Sequence, residues 1–328
     1  PTGVLLTNLG TPEAPTASAL RSYLKEFLSD PRVVEIPRLL WLIILHGIIL
    51  RIRPAKSAKL YQSIWTDAGS PLKVIAQQQQ EKVAEQLAKT HGDKVVVELA
   101  MRYGQPSIAS ALQKFQQQGV DNIIIMPLYP QYAGPTTGST FDAVVQEIKQ
   151  WRWIPHLHFV SGYHENNLYI DALAASVNEH INQHGKPDKL VLSFHGMPEY
   201  FYLQGDPYFD FCQMTTQLLT TKLGLTEKDY VMTFQSRFGK AKWLSPYTDQ
   251  VLADLPQQGC KNIAIISPAF SADCLETLEE LEHENRQVFL EAGGEKYHYI
   301  AALNTRTDHI KALVDIISPY LVKPQSSR

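Results

Sequence analysis

The sequence predicts an α/β protein built from two similar doubly wound domains with parallel sheets. Three observations predict it. Short β-rich runs alternate with longer helical patterns along the chain, the arrangement that makes parallel sheets from strand–helix–strand units. The two halves share one order of parts. Each half also contains a strand that ends in Gly-x-Pro, where proline forces the chain out of the sheet.

Taken in order, the first strand, Val4-Leu5-Leu6-Thr7-Asn8-Leu9, runs into Gly10-Thr11-Pro12. It matches Val191-Leu192-Ser193-Phe194-His195 running into Gly196-Met197-Pro198. Residues 95–104 then match 230–239, and residues 117–127 match 257–268. Three matches in one order mark an internal repeat. In sheets of this kind ligands bind beyond the carboxyl ends of the strands. The informative loops therefore follow Leu6, Leu99, Ile125, Leu192, Thr233 and Ile266. No Gly-x-Gly-x-x-Gly and no P-loop pattern occurs, which argues against a dinucleotide or nucleotide cofactor.

Composition narrows the function further. The 328 residues are 44% apolar and 19% charged, with a net charge of -3, which fits a protein with a large core. The absence of any basic run excludes nucleic acid as an expected partner. Cys212, Cys260 and Cys274 show no Cys-x-x-Cys spacing. That argues against a disulfide framework or a zinc site and suits a reducing compartment. No secretory leader pattern opens the sequence, so a cytoplasmic location is expected. Residues 39–50 are almost wholly apolar and are followed by Arg51 and Arg53. They are too few to span a bilayer. They read either as a buried core helix or as an exposed apolar lip that meets a membrane or a hydrophobic ligand; Trp41 and the arginines lean toward the lip.

Two features carry chemistry. The position that is Leu9 in the first half is His195 in the second, so packing alone does not demand a histidine there. After Ile266, strand, turn and helix follow, with Ser271 or Asp273 as the expected N-cap. Glu276, Glu280 and Glu284 recur every four residues, on one helix face. Like charges at that spacing cost a few tenths of a kcal/mol per pair. They read as a solvated acidic face, or as a carboxylate ladder that passes a cation or protons toward the helix start.

Ser193-x-His195-Gly196-x-Pro198, together with Phe270-x-x-Asp273-x-x-Glu276-Thr277-Leu278, resembles the ferrochelatases, the family that inserts ferrous iron into porphyrins. Met101-Arg102-Tyr103, Tyr129-Pro130-Gln131-Tyr132, Thr136-Thr137-Gly138-Ser139, Gln235-Ser236, Trp243-Leu244, Gly69-Ser70-Pro71 and residues 8–13 extend the resemblance nearly end to end. It implies two Rossmann-like, chelatase-like domains with a porphyrin cleft between them: 1–155 plus 305–328, carrying the lip, and 156–304. It implies that His195 and Glu276 are catalytic and face the iron, with Glu280 and Glu284 as further metal-binding carboxylates. Arg102, Tyr103, Tyr129, Tyr132, Trp243 and Phe270 are then expected to bind the porphyrin, and Arg53, Tyr61 and Ser70 its propionates.

The implied reaction inserts ferrous iron into protoporphyrin IX, giving protohaem and releasing two protons, as the terminal step of haem biosynthesis. Iron is then expected as a substrate, with no cofactor bound permanently. No iron–sulfur cluster is expected, since residues 321–328 hold none of the cysteines that bind one near the C-terminus of other members. Cys274 stands where some members have histidine and is expected to be packed. Leu9 stands where coproporphyrin-preferring members tend to carry Tyr, which favours protoporphyrin. A cytoplasmic monomer is expected, peripheral to the inner membrane face through residues 39–50. The alternatives are a non-catalytic porphyrin or haem carrier, and a chelatase for another tetrapyrrole or metal, such as coproporphyrin or cobalt.

Overall fold

The computed structural model describes residues 1–321. The chain divides into two compact units: 1–129 with 133–162 and 313 onward, and 130–132 with 163–312. The first unit holds β1 (Thr2–Gly10), β2 (Val95–Tyr103), β3 (Asn122–Pro127) and β4 (His156–Phe159); the second holds β5 (Lys189–His195), β6 (Tyr230–Gln235), β7 (Asn262–Ile266) and β8 (Lys296–Ile300). Both sheets are parallel, with the orders β2-β1-β3-β4 and β6-β5-β7-β8. The two orders are the same, as the repeat requires.

The unit boundaries differ from the expected 155/156 and 304/305. β4 pairs with β3, Asn122 facing His156, so residues 156–159 belong to the first sheet. The stretch 305–312 packs with the second unit. Residues 322–328, part of the expected first domain and of the cysteine-free tail, lie outside the described residues.

Strand register tests the repeat residue by residue. Leu6 faces Met126 and Leu192 faces Ile266, as the match of 117–127 with 257–268 requires. The match of 95–104 with 230–239 is off by two residues. Leu6 faces Leu99 whereas Leu192 faces Met232, so Leu99 corresponds to Met232 and Arg102 to Gln235. β2 and β6 are the edge strands of their sheets, and a slip of two residues keeps every side chain on its own face, so the alternation of a strand carries no mark of it.

Each core lies against its own sheet. In the first unit Leu5, Ile123 and Ile125 pack with Leu112, Phe115 and Val144. In the second, Val191, Ile263 and Ile265 pack with Leu252, Leu281 and Phe289. The Gly-x-Pro glycines are demanded by close approach. A Cβ on Gly10, whose φ is +120°, would lie 1.8 Å from the Tyr103 carbonyl oxygen; one on Gly196 would lie 2.7 Å from that of Gln235.

Residues 39–50 lie on a helical run that continues, with a π-helical turn at Leu45–Ile49, into the helix Leu50–Ile64. Leu39, Leu40, Ile43, Ile48 and Ile52 are exposed, whereas Leu45 and Leu50 face the core. The run is therefore not a buried core helix: it leaves these five apolar side chains exposed. Trp41 does not belong to the lip: it is buried, and its indole N–H donates to the Leu28 carbonyl. Among the described residues no helix is long and apolar enough to cross a membrane.

Candidate functional site

His195 closes β5 and is half-buried. Its Nδ1 lies 2.6 Å from the Gly196 carbonyl oxygen. A carbonyl only accepts, so Nδ1 carries a proton, and in the neutral ring the lone pair is then on Nε2. The surroundings fix the residue in place. Tyr208 donates to the His195 carbonyl at 2.8 Å, and the Phe270 ring lies edge-on at 6.3 Å.

The cross-strand partner of His195 is Gln235. Its Oε1 accepts from Ser193 at 2.7 Å; its Nε2 donates to the Glu276 carbonyl at 3.0 Å and to Glu280 Oε2 at 3.3 Å. Behind it, Ser193, Thr248 and Thr233 form a buried hydroxyl chain with 2.8 Å links. Gln235 thus ties the histidine strand to the glutamate segment within one unit. Ser236 follows with φ 67° and donates to Glu280 Oε2 at 2.5 Å. A serine held in the left-handed region costs about 1–2 kcal/mol, and here it aims a hydroxyl at a carboxylate.

The glutamates stand on a π-helix, Glu276–Glu284, and not on the expected α-helix. A turn that closes on the fifth residue leaves residues four apart just short of a full turn, still on one face. Side chains from outside hold two carbonyls of the segment: Gln235 takes that of Glu276 and Tyr297 that of Leu281. Such insertion loosens the regular ladder. Neither expected N-cap acts as one. No side chain caps the π-helix. Asp273 instead accepts from Thr277, Tyr299 and the Ala302 amide through Oδ1 and from Asn304 through Oδ2.

Glu276 and Glu280 are half-buried and Glu284 is exposed, so the ladder runs outward along the helix to solvent. Burial, opposed by the Ser236 hydrogen bond and reinforced by the Glu276 charge, pushes Glu280 up to about 7. Cys274 is buried, as expected, and its thiol is pushed up by burial and by the neighbouring Glu276 carboxylate. Among the described residues no three His, Cys, Asp or Glu side chains form a metal cluster. His195, Glu276, Glu280 and Glu284 are therefore strung out, and not gathered round one point.

In the first unit Arg102 and Tyr103 meet on a residue the sequence reading missed. Asp30 is buried and accepts from Arg102 at 3.0 Å, from Tyr103 at 2.6 Å and from Ser139. Arg102 also donates through Nε to Ser139, to its hydroxyl at 2.7 Å and its carbonyl at 2.9 Å. The carboxyl of Asp30 lies below its ordinary value: burial raises it, but hydrogen bonds from Ser139 and Tyr103 outweigh that.

The remaining candidates divide by exposure. Tyr103, Tyr61, Ser70 and Trp243 are buried, so as placed they support neighbours. Ser70 accepts from Thr11 at 2.7 Å, Tyr61 packs edge-on to Trp65, and Trp243 packs against Phe238 and beside Gly196. Arg53 is exposed. Tyr129 in the first unit, and Tyr132 and Phe270 in the second, are half-buried. Gln235, Ser236, Asp273, Asp30 and Ser139 are the polar residues that sequence reasoning did not place in the site. Of these Gln235, Ser236, Asp273 and Ser139 stood in the quoted motifs, a signal that could have found them.

Comparison with known proteins bears on the family and the fold. The ferrochelatase family model matches residues 1–321. "Ferrochelatase 2" of Shewanella oneidensis is 59% identical over 319 residues, covering 97% of each chain. The ferrochelatase of Shewanella denitrificans is 58% identical over 330 residues, covering 98% of each. That of Thioalkalivibrio sulfidiphilus is 55% identical over 315 residues, covering 96% of this chain and 85% of its own. Among solved structures, the sirohydrochlorin chelatase SirB of Bacillus subtilis, in complex with cobalt, superposes with a TM-score of 0.56 at 10% identity. It covers 97% of this chain and 94% of its own. CbiX, with a TM-score of 0.52 at 11% identity, covers 98% and 99%. At such identities these two establish the fold alone, a chelatase-type pair of parallel α/β sheets.

Proposed function

The chain belongs to the ferrochelatase family, and from that premise we propose that it inserts ferrous iron into protoporphyrin IX, releasing two protons and giving protohaem. Metallation requires a base for the pyrrole N–H groups and a weakly held path for the ion. The observation that carries the reading is the His195–Gln235 pair. It holds an imidazole whose Nδ1 is engaged by the Gly196 carbonyl, beside the glutamate segment. His195 takes a pyrrole proton, and imidazole suits this because its ordinary pKa lies near neutrality. Glu276 offers charge to the arriving cation. Glu280, pushed up to about 7, accepts and returns protons at working pH, and Glu284, exposed, exchanges them with solvent. An ion destined for the porphyrin is served by carboxylates in series, because a closed ligand cage would retain it.

Phe270, Tyr132, Tyr129 and Arg102 are the proposed porphyrin contacts, with Arg53 for a propionate; Tyr103, Trp243, Tyr61 and Ser70 support them from within. Iron enters as substrate. No iron–sulfur cluster is part of this proposal: Cys212, Cys260 and Cys274 show no Cys-x-x-Cys spacing. The exposed apolar side chains of residues 39–52 support peripheral contact with a membrane; a cytoplasmic monomer is part of the proposal. A non-catalytic carrier has no use for the carboxylate series.

The test is anaerobic incubation of the purified chain with ferrous iron and protoporphyrin, followed by absorbance. Protohaem should form, with coproporphyrin and cobalt as slower substrates. Faster metallation of coproporphyrin would overturn the porphyrin assignment.

A further inference from the structure

We propose that His180, His184 and His298 form a second metal position, for a divalent transition ion that favours nitrogen ligands, apart from the site at His195. His180 and His184 stand one turn apart near the end of the helix Asn167–His184, the i, i+4 spacing that presents two imidazoles on one face. His298 comes from β8, the edge strand of the same unit. The position is distinct: His184 precedes Lys189, where β5 begins, whereas His195 ends that strand.

The three ring centroids are 4.7, 5.1 and 4.4 Å apart. With a metal–nitrogen bond of about 2.1 Å and a centroid about 1.1 Å beyond, rings on one ion are about 4.5–5.2 Å apart for octahedral or tetrahedral angles. The observed triangle has that size. The donor atoms do not yet converge, since no three such side chains form a metal cluster among the described residues. The rings lie at interplanar angles of 30°, 59° and 32°. Binding on this proposal requires a rotation about χ2, which is a soft torsion in histidine, to bring one nitrogen of each ring to a common centre.

Nothing in the fold claims these rings. Among the described residues no protein hydrogen bond engages them, and His180 and His298 are half-buried. Arg286 and Lys296 lie near enough to His298 to oppose an incoming cation, so binding there depends on ligand bonds more than on field. That selects nitrogen-preferring ions of the zinc and cobalt class over magnesium.

The experiment uses the full chain carrying His195→Ala and Glu276→Gln, so that the reaction site is silenced. Titration with Co2+ alone is followed by calorimetry and visible absorbance. One equivalent should bind, and Mg2+ should not compete. Adding His184→Ala, a change at an exposed residue, should weaken binding by about 100-fold or more, at least the loss of a supporting partner around a metal. His298→Asn should do the same from the other element. Unchanged Co2+ affinity in the His184→Ala chain, or no binding by the parent, would overturn the proposal.

Discussion

Replacing Glu280 by Gln should stabilise the protein, and by more as pH rises. In the unfolded chain Glu280 titrates near its ordinary 4.5, whereas in the fold burial pushes it up to about 7. Between those values the native state holds a proton that the unfolded chain has lost. Stability therefore falls as pH rises from 4.5 to about 7 and stays reduced above. At about 1.4 kcal/mol per unit the full cost is about 3 kcal/mol. Glu280→Gln keeps an oxygen to accept from Ser236 and removes both the buried charge and its repulsion from Glu276. The variant should match the wild type near pH 4.5 and exceed it by about 1–3 kcal/mol at about pH 8. Urea unfolding at several pH values checks this through the midpoint at constant m. Parallel profiles for the two proteins, or a less stable variant at about pH 8, would refute the reasoning and remove Glu280 as a proton carrier at neutral pH.

The remaining predictions concern the lip and the strained serine. Leu39→Asp with Ile43→Asp should reduce sedimentation with anionic liposomes and leave the circular dichroism spectrum unchanged, since the two residues are 75% and 63% exposed; unfolding would place them in a core. Ser236→Ala and Ser236→Gly should slow metallation alike, because both remove the hydroxyl held at 2.5 Å from Glu280. Thermal melts should find the glycine variant the more stable, by about 1 kcal/mol, because it relieves the left-handed backbone. An alanine variant as active as wild type would separate Ser236 from the chemistry.

How much of this was legible depends on how local the signal is. The end of β5 and the place of His195 follow from Gly196 and Pro198 alone, and the match of β3 with β7 survives because Gly119 and Asn122 align with Gly259 and Asn262. β2 and β6 were paired two residues out of phase, since a shift of two leaves each side chain on the same face of an edge strand and the alternation looks the same. The glutamate spacing was visible, but four residues suit an α- and a π-helix alike. Gln235 and Tyr297, 41 and 16 residues from the carbonyls they engage, meet the π-helix only in the fold. Asp30 was invisible for the same reason. Beside Pro31 it reads as a turn residue, and only the fold brings it to Arg102 and Ser139, 72 and 109 residues away. Trp41 misled because an aromatic beside an apolar run resembles an interfacial anchor, while its indole N–H has a partner inside.

The most direct test of the central claim is the rate of protoporphyrin metallation by His195→Ala, measured with and without added imidazole and beside Glu276→Gln. The account predicts near-complete loss in His195→Ala, partial recovery with imidazole, and a loss of about 100-fold in Glu276→Gln, the scale of removed acid–base help. A His195→Ala chain that metallates at the wild-type rate would contradict it.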